Sequence, residues 1–181
     1  VQKVNTVVFD KTGTLTRGEP AVTDIVSFGD LDREDVLCYA AIAEKRSEHP
    51  LGEAIEQEAN RSKVEIPDPD SFEAIPGKGV RCRYDSHQIA IGNRALILNS
   101  IADPPPNEVE RKLSSMEDEG KTAMILSVDG KIAGLIGVAD TLKEHSVEAV
   151  QQLKNMNIQV MMVTGDNERT ARAIAQKLGI E

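Results

Sequence analysis

The 181 residues are enough for one large domain or two small ones, each with a core of its own. A net charge of −9 and an aromatic content of only 3% argue against nucleic acid as a partner, because its binding relies on basic surfaces and aromatic stacking. No apolar run approaches the ~20 residues of a membrane-spanning helix, and no secretory signal is visible at the N-terminus, so we expect a soluble chain.

The cysteines and the first residue indicate the setting of the chain. Cys38 and Cys82 lie far apart and form no Cys-x-x-Cys pair, which favours reduced structural thiols in a cytosolic environment. The chain begins at Val1 rather than at an initiator Met, and we therefore expect it to be a piece of a longer protein.

The first predicted element is an apolar, β-branched run from Val4 to Phe9, which is typical of a buried parallel strand. It stops at Asp10, and the string Asp-Lys-Thr-Gly-Thr-Leu-Thr occupies residues 10–16. Ligands of open α/β sheets bind beyond the carboxyl ends of the strands, where a carboxylate can attack phosphorus and form an aspartyl-phosphate. Lys11 can offset charge on phosphoryl oxygens, and the small residues let backbone N–H groups approach a phosphate. An isolated Asp in this position would more often cap a turn.

Two helices are predicted after a turn-rich exit at residues 17–20, which we interpret as a hinge, and an extended strand over residues 21–28. Asp32 can cap the first helix, with acids in its first turn. The second helix is predicted to begin at Ser47 or His49, with Pro50 at its first position.

A glycine-containing turn follows the next predicted strand, Phe72 to Ile75. Gly77 and Gly79 alternate with Lys78, and such spacing lets the backbone approach a flat or phosphorylated ligand, although Gly-x-Gly is more often a tight turn. Another strand is predicted from Gln88 to Gly92, directly before Asn93.

The second half of the chain begins with a helix predicted from a cap at Asn107 to about Asp118. A hairpin is then predicted, with strands over 122–128 and 131–139 joined by Asp129-Gly130. Thr141 and Glu144 have capping-box spacing.

Gly120-Lys121-Thr122 imitates the end of a P-loop, which requires a glycine five residues before the Gly-Lys pair and after a strand. Ser115 occupies that position within a predicted helix, and we reject the P-loop interpretation.

The last part repeats the arrangement at Asp10. A continuous apolar strand from Ile158 to Val163 ends in small polar residues and an acid, Thr164-Gly165-Asp166. Asn167 can cap the final helix and Gly179 can end it.

Five ordered motifs together resemble the heavy-metal-transporting P-type ATPases, ion pumps of the haloacid-dehalogenase-like superfamily. They are the phosphorylation string, a Ser-Glu-His-Pro-Leu motif, a Gly-x-Gly loop, a Gly-Asn-Arg segment and a Thr-Gly-Asp motif, at residues 10–16, 47–51, 77–79, 92–94 and 164–166. Residues 140–143 are similar to the segment where that family's chain re-enters its phosphorylation domain.

The resemblance implies a role for each matching residue. Asp10 is expected to be the phosphorylated nucleophile, and the other catalytic candidates are Lys11, Thr12, Thr164, Gly165 and Asp166. ATP is expected to contact Glu44 (through the adenine amino group), His49, Gly77, Gly79 and Asn93. Mg²⁺ is expected to bridge Asp10, the Thr12 carbonyl and the γ-phosphate.

The resemblance also implies an α/β fold with two parts. Residues 1–19 and 138–181 would form part of a Rossmann-like phosphorylation domain with two parallel strands. Residues 20–137 would form an inserted α+β nucleotide-binding domain built on an antiparallel sheet. The implied parent is a membrane pump, with copper(I) as the favoured ion and this part at the cytoplasmic face. Its partners would be its own actuator and transmembrane domains and a cytosolic metallochaperone, and the fragment is expected to be monomeric.

Thr12 separates a pump from a phosphatase. Phosphatases of the same superfamily have a second Asp two positions after the nucleophile, and threonine cannot activate water as a carboxylate can. A stand-alone phosphatase or phosphotransferase and a non-enzymatic nucleotide-binding module remain the alternatives. The chain ends before the family's later lysine and acidic Mg²⁺-binding motif, so we expect the fragment to bind ATP but to phosphorylate Asp10 poorly.

Overall fold

The structure, a computed structural model, describes residues 4–99, 101 and 104–180. The strands are β1 (Thr6–Asp10), β2 (Thr16–Ser27), β3 (Ser71–Ile75), β4 (Gly79–Tyr84), β5 (His87–Gly92), β6 (Thr122–Val128), β7 (Lys131–Leu142) and β8 (Gln159–Val163). The helices are α1 (Arg33–Glu44), α2 (Pro50–Arg61), α3 (Arg94–Ile97), α4 (Asn107–Asp118), α5 (Ser146–Asn155) and α6 (Glu168–Leu178). The strands form a two-stranded sheet, β1-β8, and a six-stranded sheet in the order β2-β7-β6-β5-β4-β3.

The small sheet is the predicted parallel pair, with Asp10 opposite Val163. Its inner face, which includes the buried Val160, packs against α5 and α6. The prediction that its strands are buried is wrong for the outer face, where Val8, Met161 and Val163 are 55%, 47% and 57% exposed. A continuous apolar run indicated burial on both faces, but the described residues cover only one.

The large sheet is antiparallel throughout and is covered on both faces. Ile136 of β7 points into the cluster formed with α1 and α2, whereas its neighbour Leu135 points into the cluster formed with α3 and α4. Successive strand residues face opposite sides of a sheet, so these two adjacent side chains pack in two separate cores. Gly134 lets Val36 of α1 approach the backbone of β7 closely.

The two sheets are joined by β2 and β7, which pair with each other. The pairing extends to Thr16 opposite Leu142, with Pro20 opposite Asp140 and a register shift between the two pairs. Residues 17–20, predicted as a turn-rich hinge, are therefore part of β2. Pairing with β7 overrides the local turn preference of Gly18 and Pro20, and the irregular register accommodates both residues.

Several predicted helix boundaries are confirmed. Asp32 caps α1 in a reciprocal capping box with Asp35. His49, one of the two predicted starts, caps α2 through its side chain. Asn167 caps α6, and Gly179 ends it in the left-handed conformation with φ of +72°.

The predicted hairpin is also confirmed. Asp129 and Gly130 both take positive φ angles between β6 and β7, as a two-residue turn of this kind requires. The rejection of the P-loop interpretation agrees with the structure, because Ser115 lies within α4.

Other local predictions are wrong. Asn107 is the first residue of α4 and not its cap, since Pro106 precedes the helix without a side-chain cap. Thr141 lies in β7, and α5 begins only at Ser146, so the predicted capping box with Glu144 does not form. The strand β4 and the short helix α3 were not predicted.

Because Leu135 and Ile136 are both fully buried but on opposite faces, replacing either should leave a cavity. Leu135→Ala and Ile136→Ala should each lower the free energy of unfolding by about 2–5 kcal/mol. Met161→Ala, on the exposed face of the small sheet, should cost less than about 1 kcal/mol. Urea denaturation followed by circular dichroism measures all three, and a near-neutral result at Leu135 or Ile136 would contradict burial of that face.

Candidate active site

Asp10 ends β1 at the edge of the small sheet, with its side chain exposed. Within the described part of the chain its carboxylate makes no hydrogen bond and no ion pair. The chain then turns tightly over Lys11–Leu15, where Gly13 has φ of +75° and open space around it. A carboxylate without partners at an accessible strand end is available as a nucleophile.

Asp140 holds this turn from the second strand that joins the sheets. The Thr16 hydroxyl lies 2.6 Å from an Asp140 carboxylate oxygen, and the same carboxylate accepts from the backbone N–H groups of Gly18 (3.1 Å) and Glu19 (3.3 Å). The carboxylate thereby fixes the start of β2 directly behind the Asp10 turn.

The residues after β7 secure the middle of the turn. Lys143 Nζ donates to the carbonyl of Gly13 at 2.6 Å, and Ser146 Oγ donates to that of Leu15 at 2.7 Å. The sequence singled out Asp140 and Lys143 only by resemblance and missed Ser146, because these contacts cross more than 120 positions of the chain.

Lys11 and Asp166 form a largely buried ion pair, with Nζ 2.5 Å from Oδ2 and both side chains 11% exposed. The Thr164 hydroxyl donates to the same oxygen at 2.9 Å and accepts from the Asp166 N–H at 3.1 Å. The other carboxylate oxygen accepts from the Thr122 hydroxyl at 3.1 Å. The structure therefore brings three predicted catalytic residues into contact and adds Thr122, which the sequence showed only as the start of a strand.

Gly165 lies between these residues, with open space where a side chain would be. Its backbone is thus accessible at the carboxyl end of β8, next to the end of β1.

A second group of predicted residues forms around the turn between β3 and β4. Asn93 Nδ2 donates to the Gly77 carbonyl at 2.9 Å, and Asn93 Oδ1 caps α3 by accepting from the Leu96 N–H at 3.1 Å. Gly79 pairs with Gly92, and a side chain on either glycine would collide with the backbone of the other strand. Gly77, by contrast, has φ of +70° and nothing near its missing side chain. Gly79 is therefore required for strand packing, whereas Gly77 leaves an open backbone surface.

Glu44, at the end of α1, is a buried acid with an unsatisfied oxygen. It is 5% exposed, and its Oε2 has no hydrogen-bond partner among the described residues. Burial raises the pKa of the Glu44 carboxyl, and the Ser47 hydroxyl offsets part of that rise. An ionised carboxylate in this position needs a donor.

Gly52 of α2 makes room for that carboxylate, because a side-chain carbon there would lie only 2.7 Å from Glu44 Oε2. The sequence analysis did not single out Gly52. A glycine inside a helix costs about 1 kcal/mol relative to alanine, and this was the available signal.

His49 caps α2 with its ring, which remains exposed. Its Nδ1 accepts from the Leu51 N–H at 3.2 Å. With Nδ1 occupied as an acceptor, the ring proton lies on Nε2, which is left to donate to a ligand.

Glu44 lies on the face of the large sheet that α1 and α2 cover. Burial, with the carboxylates of Asp70 and Glu44, raises the pKa of the Cys82 thiol to about 11. The Glu44 carboxyl is therefore near enough to β4 to act on the charge of Cys82. Gly79 begins that strand. Both Cys38 and Cys82 are free thiols.

Asp10 and Thr12 lie on the exposed turn, where a metal ion could reach a carboxylate and a carbonyl oxygen. Within residues 4–99, 101 and 104–180, no group of three or more His, Cys, Asp or Glu side chains could hold a metal by itself. Mg²⁺ is commonly bound by one or two carboxylates together with substrate phosphates, and the residues present fit that mode. None of the helices in the described ranges has the length and apolar character needed to cross a bilayer.

The family model of the haloacid dehalogenase-like hydrolases matches residues 4–181. The chain belongs to this family. The matched residues include the exposed Asp10 at the strand end and the Thr164–Asp166 group beside it. This membership and the mixed α/β architecture agree with the predicted fold class.

Within the family, the chain is similar to copper-exporting P-type ATPases. It is 45% identical to the copper-exporting P-type ATPase of Staphylococcus haemolyticus over 179 residues, which are 99% of this chain and 22% of that protein. It is 46% identical to the probable copper-exporting P-type ATPase of Archaeoglobus fulgidus over 180 residues, again 99% and 22%. The chain thus spans about a fifth of the length of these relatives.

Solved structures show the same similarity. A zinc-transporting PIB-type ATPase in its E2.Pi state aligns with 99% of this chain and 28% of its own, with a TM-score of 0.71 and 31% identity. The N-domain of a copper-transporting P-type ATPase aligns with 66% of this chain and 99% of its own, with a TM-score of 0.58 and 27% identity. The predicted resemblance to heavy-metal P-type ATPases is confirmed.

The burial of Glu44 predicts a specific pH dependence. Because its pKa is higher in the folded than in the unfolded chain, the folded state binds the proton more tightly, and its contribution to stability falls as the pH rises from 4.5 through the raised pKa. Glu44→Gln removes this contribution. The free energy of unfolding of the variant should therefore increase relative to that of the wild type as the pH rises through that range. Urea unfolding at successive pH values measures it.

Glu48→Gln is the matched control for this pH experiment, since Glu48 is exposed and lies in the loop that follows Glu44. A constant difference between Glu44→Gln and the wild type at every pH would contradict the assignment of a raised pKa to Glu44.

Proposed function

We propose that this chain binds ATP and, within a longer protein, carries the aspartate that is phosphorylated while a heavy-metal ion, copper(I), is transported across a membrane. The observation that carries the proposal is the parallel pairing of β1 with β8. It sets Asp10 opposite Val163 and brings Lys11 into contact with Asp166 at the same edge. The copper assignment rests on the names of the relatives and on the Ser-Glu-His-Pro-Leu motif.

In this proposal, residues 1–19 and 138–181 belong to a phosphorylation domain and residues 20–137 form the inserted nucleotide-binding domain. Residues 1–3 and 181 lie outside the described residues. Two observations support the division: the insertion contains nearly all of the six-stranded sheet, and it is about two thirds of the chain, the share that aligns with the solved N-domain. Pairing of β2 with β7 continues past both proposed boundaries to Thr16 and Leu142, which makes the connection a two-stranded ribbon.

The adenine end of ATP would bind beside Glu44 and His49. No described residue donates a hydrogen bond to Glu44 Oε2, and the exocyclic amino group of adenine is a donor. The His49 ring is exposed and can stack on the base or donate from Nε2. Gly77 offers an open backbone surface, which Asn93 holds through its hydrogen bond, and Gly79 lets this turn lie close to β5.

The phosphoryl transfer would take place at Asp10. A carboxylate oxygen of Asp10 forms a bond to the γ-phosphorus, the bond from that phosphorus to the β–γ bridging oxygen breaks, and ADP leaves with the electron pair. The Lys11 ammonium would offset charge on the transferred group, and the Thr164 hydroxyl and Gly165 backbone would contact it. Mg²⁺, when bound by the Asp10 carboxylate and the Thr12 carbonyl, would neutralise phosphoryl charge.

A stand-alone phosphatase is the weaker alternative because of Thr12. The hydroxyl at this position cannot act as the general base that a phosphatase needs to hydrolyse its phosphoenzyme quickly. A long-lived aspartyl-phosphate is what a transport cycle requires.

The remaining parts of the proposal concern the longer protein. Actuator and transmembrane domains of the same chain would be its partners, at the cytoplasmic face of a membrane, with a metallochaperone delivering the ion. The alignment of this chain with 28% of a solved zinc-transporting ATPase supports a larger parent.

Removing the His49 ring should weaken ATP binding. His49→Asn is the informative variant, because asparagine is a good N-cap and preserves the start of α2 while the imidazole is lost. We expect the Kd for ATP to rise about tenfold, the loss of one base–ring contact, as measured by isothermal titration calorimetry.

His87→Gln is the matched control for that titration. His87 is the first residue of β5, at the other end of the strand from Gly92, and its side chain pairs with Asp129. Replacing His87 should leave the ATP affinity unchanged. An unchanged Kd in His49→Asn would remove His49 from the site, and the absence of ATP binding by the wild type would refute the proposed function.

Substitutions at two positions test the phosphorylation step in a longer protein that carries this chain. With radiolabelled γ-phosphate, Asp10→Asn should abolish acid-stable label, since the amide is not a nucleophile. Thr12→Asp should shorten the lifetime of the label by about 10²-fold or more, the usual contribution of a general base, whereas Thr12→Ser should not. Label that persists in Asp10→Asn would place the phosphorylated residue elsewhere.

A further inference from the structure

The insertion contacts the last helix of the chain at a second place, in addition to the β2–β7 ribbon. The Thr170 hydroxyl of α6 donates to the Lys121 carbonyl at 2.9 Å, and Arg169 lies 3.3 Å from the Asp118 carboxylate. Lys177 donates to the carbonyl of Glu119. The end of α4 and the start of β6 therefore pack against α6.

Glu117 is the buried acid at the centre of this contact, with 2% of its surface exposed. Arg94 donates to it through both terminal nitrogens, at 2.6 and 3.1 Å, and Asn167 Nδ2 donates at 3.0 Å. Arg169 Nε forms a longer ion pair with it, 3.8 Å from Oε2. A buried carboxylate is tolerated only when donors surround it, so the position of Glu117 depends on these three partners.

Two of these partners, Arg94 and Asn167, are neighbours of the two candidate sites. Arg94 directly follows Asn93, which holds the Gly77 turn. Asn167 directly follows Asp166, which holds Lys11 beside the Asp10 strand end. Glu117 thus connects the glycine turn to the Thr164–Asp166 loop through side-chain hydrogen bonds on either side of a single carboxylate.

We propose that Glu117 is a positioning residue that couples nucleotide binding at the Gly77 turn to the order of the Thr164–Asp166 loop, through Arg94 and Asn167. The coupling rests on the proposed ATP binding, whereas the attachment of the loop to α4 does not. When the turn is rigidified by a ligand, Arg94 is held in place, and with it the carboxylate that Asn167 contacts.

The chain offers a variant that removes the hydrogen bond to Glu117 on one side only and leaves the longer Arg169 ion pair in place. Asn167→Ser removes the amide donor to Glu117 but keeps a good N-cap for α6, which Asn167 provides by accepting from the Thr170 N–H. Asn167 is exposed, so the variant should fold. Glu117→Gln weakens the contacts on both sides.

Glu110→Gln is the matched control. Glu110 accepts from the same Arg94 side chain, at 3.2 Å, but forms no hydrogen bond or ion pair with the described residues 164–170. If the link to Arg94 were sufficient, this variant would behave like Glu117→Gln.

Hydrogen exchange read by mass spectrometry tests the attachment without nucleotide. In Asn167→Ser and Glu117→Gln, amides of residues 164–170 should exchange about tenfold faster than in the wild type, the loss expected for one charge-assisted hydrogen bond. Amides of β3, β4 and β5 should keep their rates, as should all segments of Glu110→Gln. Equal acceleration throughout the chain would reduce Glu117 to a general stabilising residue, and unchanged rates at 164–170 would refute the proposal.

In a second arm of the hydrogen-exchange experiment, an ATP analogue is added without Mg²⁺. In the wild type, the analogue should slow exchange at residues 164–166, and in Asn167→Ser this slowing should disappear while the Kd for the analogue stays within about twofold. Slowing that persists in the variant would refute the coupling but not ATP binding. Failure of the wild type to bind the analogue would refute the proposed function and the coupling, and the first arm would still decide whether Glu117 attaches the loop.

Discussion

The pairing of β2 with β7 beside the Asp10 turn is the constraint on which the rest of the structure depends. The chain leaves the small sheet and returns to it through these two strands, and the Asp140 carboxylate joins them where they begin and end by accepting from Thr16 and Gly18. Because the outgoing and returning strands are hydrogen-bonded to each other, an insertion of about 120 residues leaves Asp10 and Val163 side by side. The candidate nucleophile Asp10 and the Thr164–Asp166 loop are close together because β2 and β7 are paired.

Two buried glutamates show how similar side chains take different roles in this fold. Glu117 is surrounded by donors, and its burial is compensated by Arg94 and Asn167. Glu44 is nearly as buried, yet Oε2 has no partner in the described chain and burial raises the pKa of its carboxyl. A satisfied carboxylate fixes a contact, whereas an unsatisfied one lacks a donor. This difference is the reason for the two proposed roles, a ligand contact at Glu44 and a connection at Glu117.

Sequence patterns predicted most elements because most have a local cause. The capping box of Asp32 and the positive φ angles of Asp129 and Gly130 depend on neighbouring residues, and both were predicted correctly. Predictions were wrong where pairing over long distances decides: Gly18 and Pro20 lie in a strand because β7 is beside them, and Thr141 is drawn into the same ribbon. One face of the small sheet stays exposed, and an apolar run such as the one before Asp10 carries no information on this.

By itself the sequence determined the residue types of the candidate site: a carboxylate at a strand end, a lysine after it, a second acid after a second strand, and a histidine at a helix start. The functional resemblance followed from the order of these motifs. Only the tertiary structure decided which of them meet. Lys11 and Asp166 are 155 positions apart. The contacts of Thr122, Gly52 and Glu117 depend on the packing of β6, α2 and α4. Such contacts depend on how helices and sheets pack, and local sequence patterns do not specify that packing.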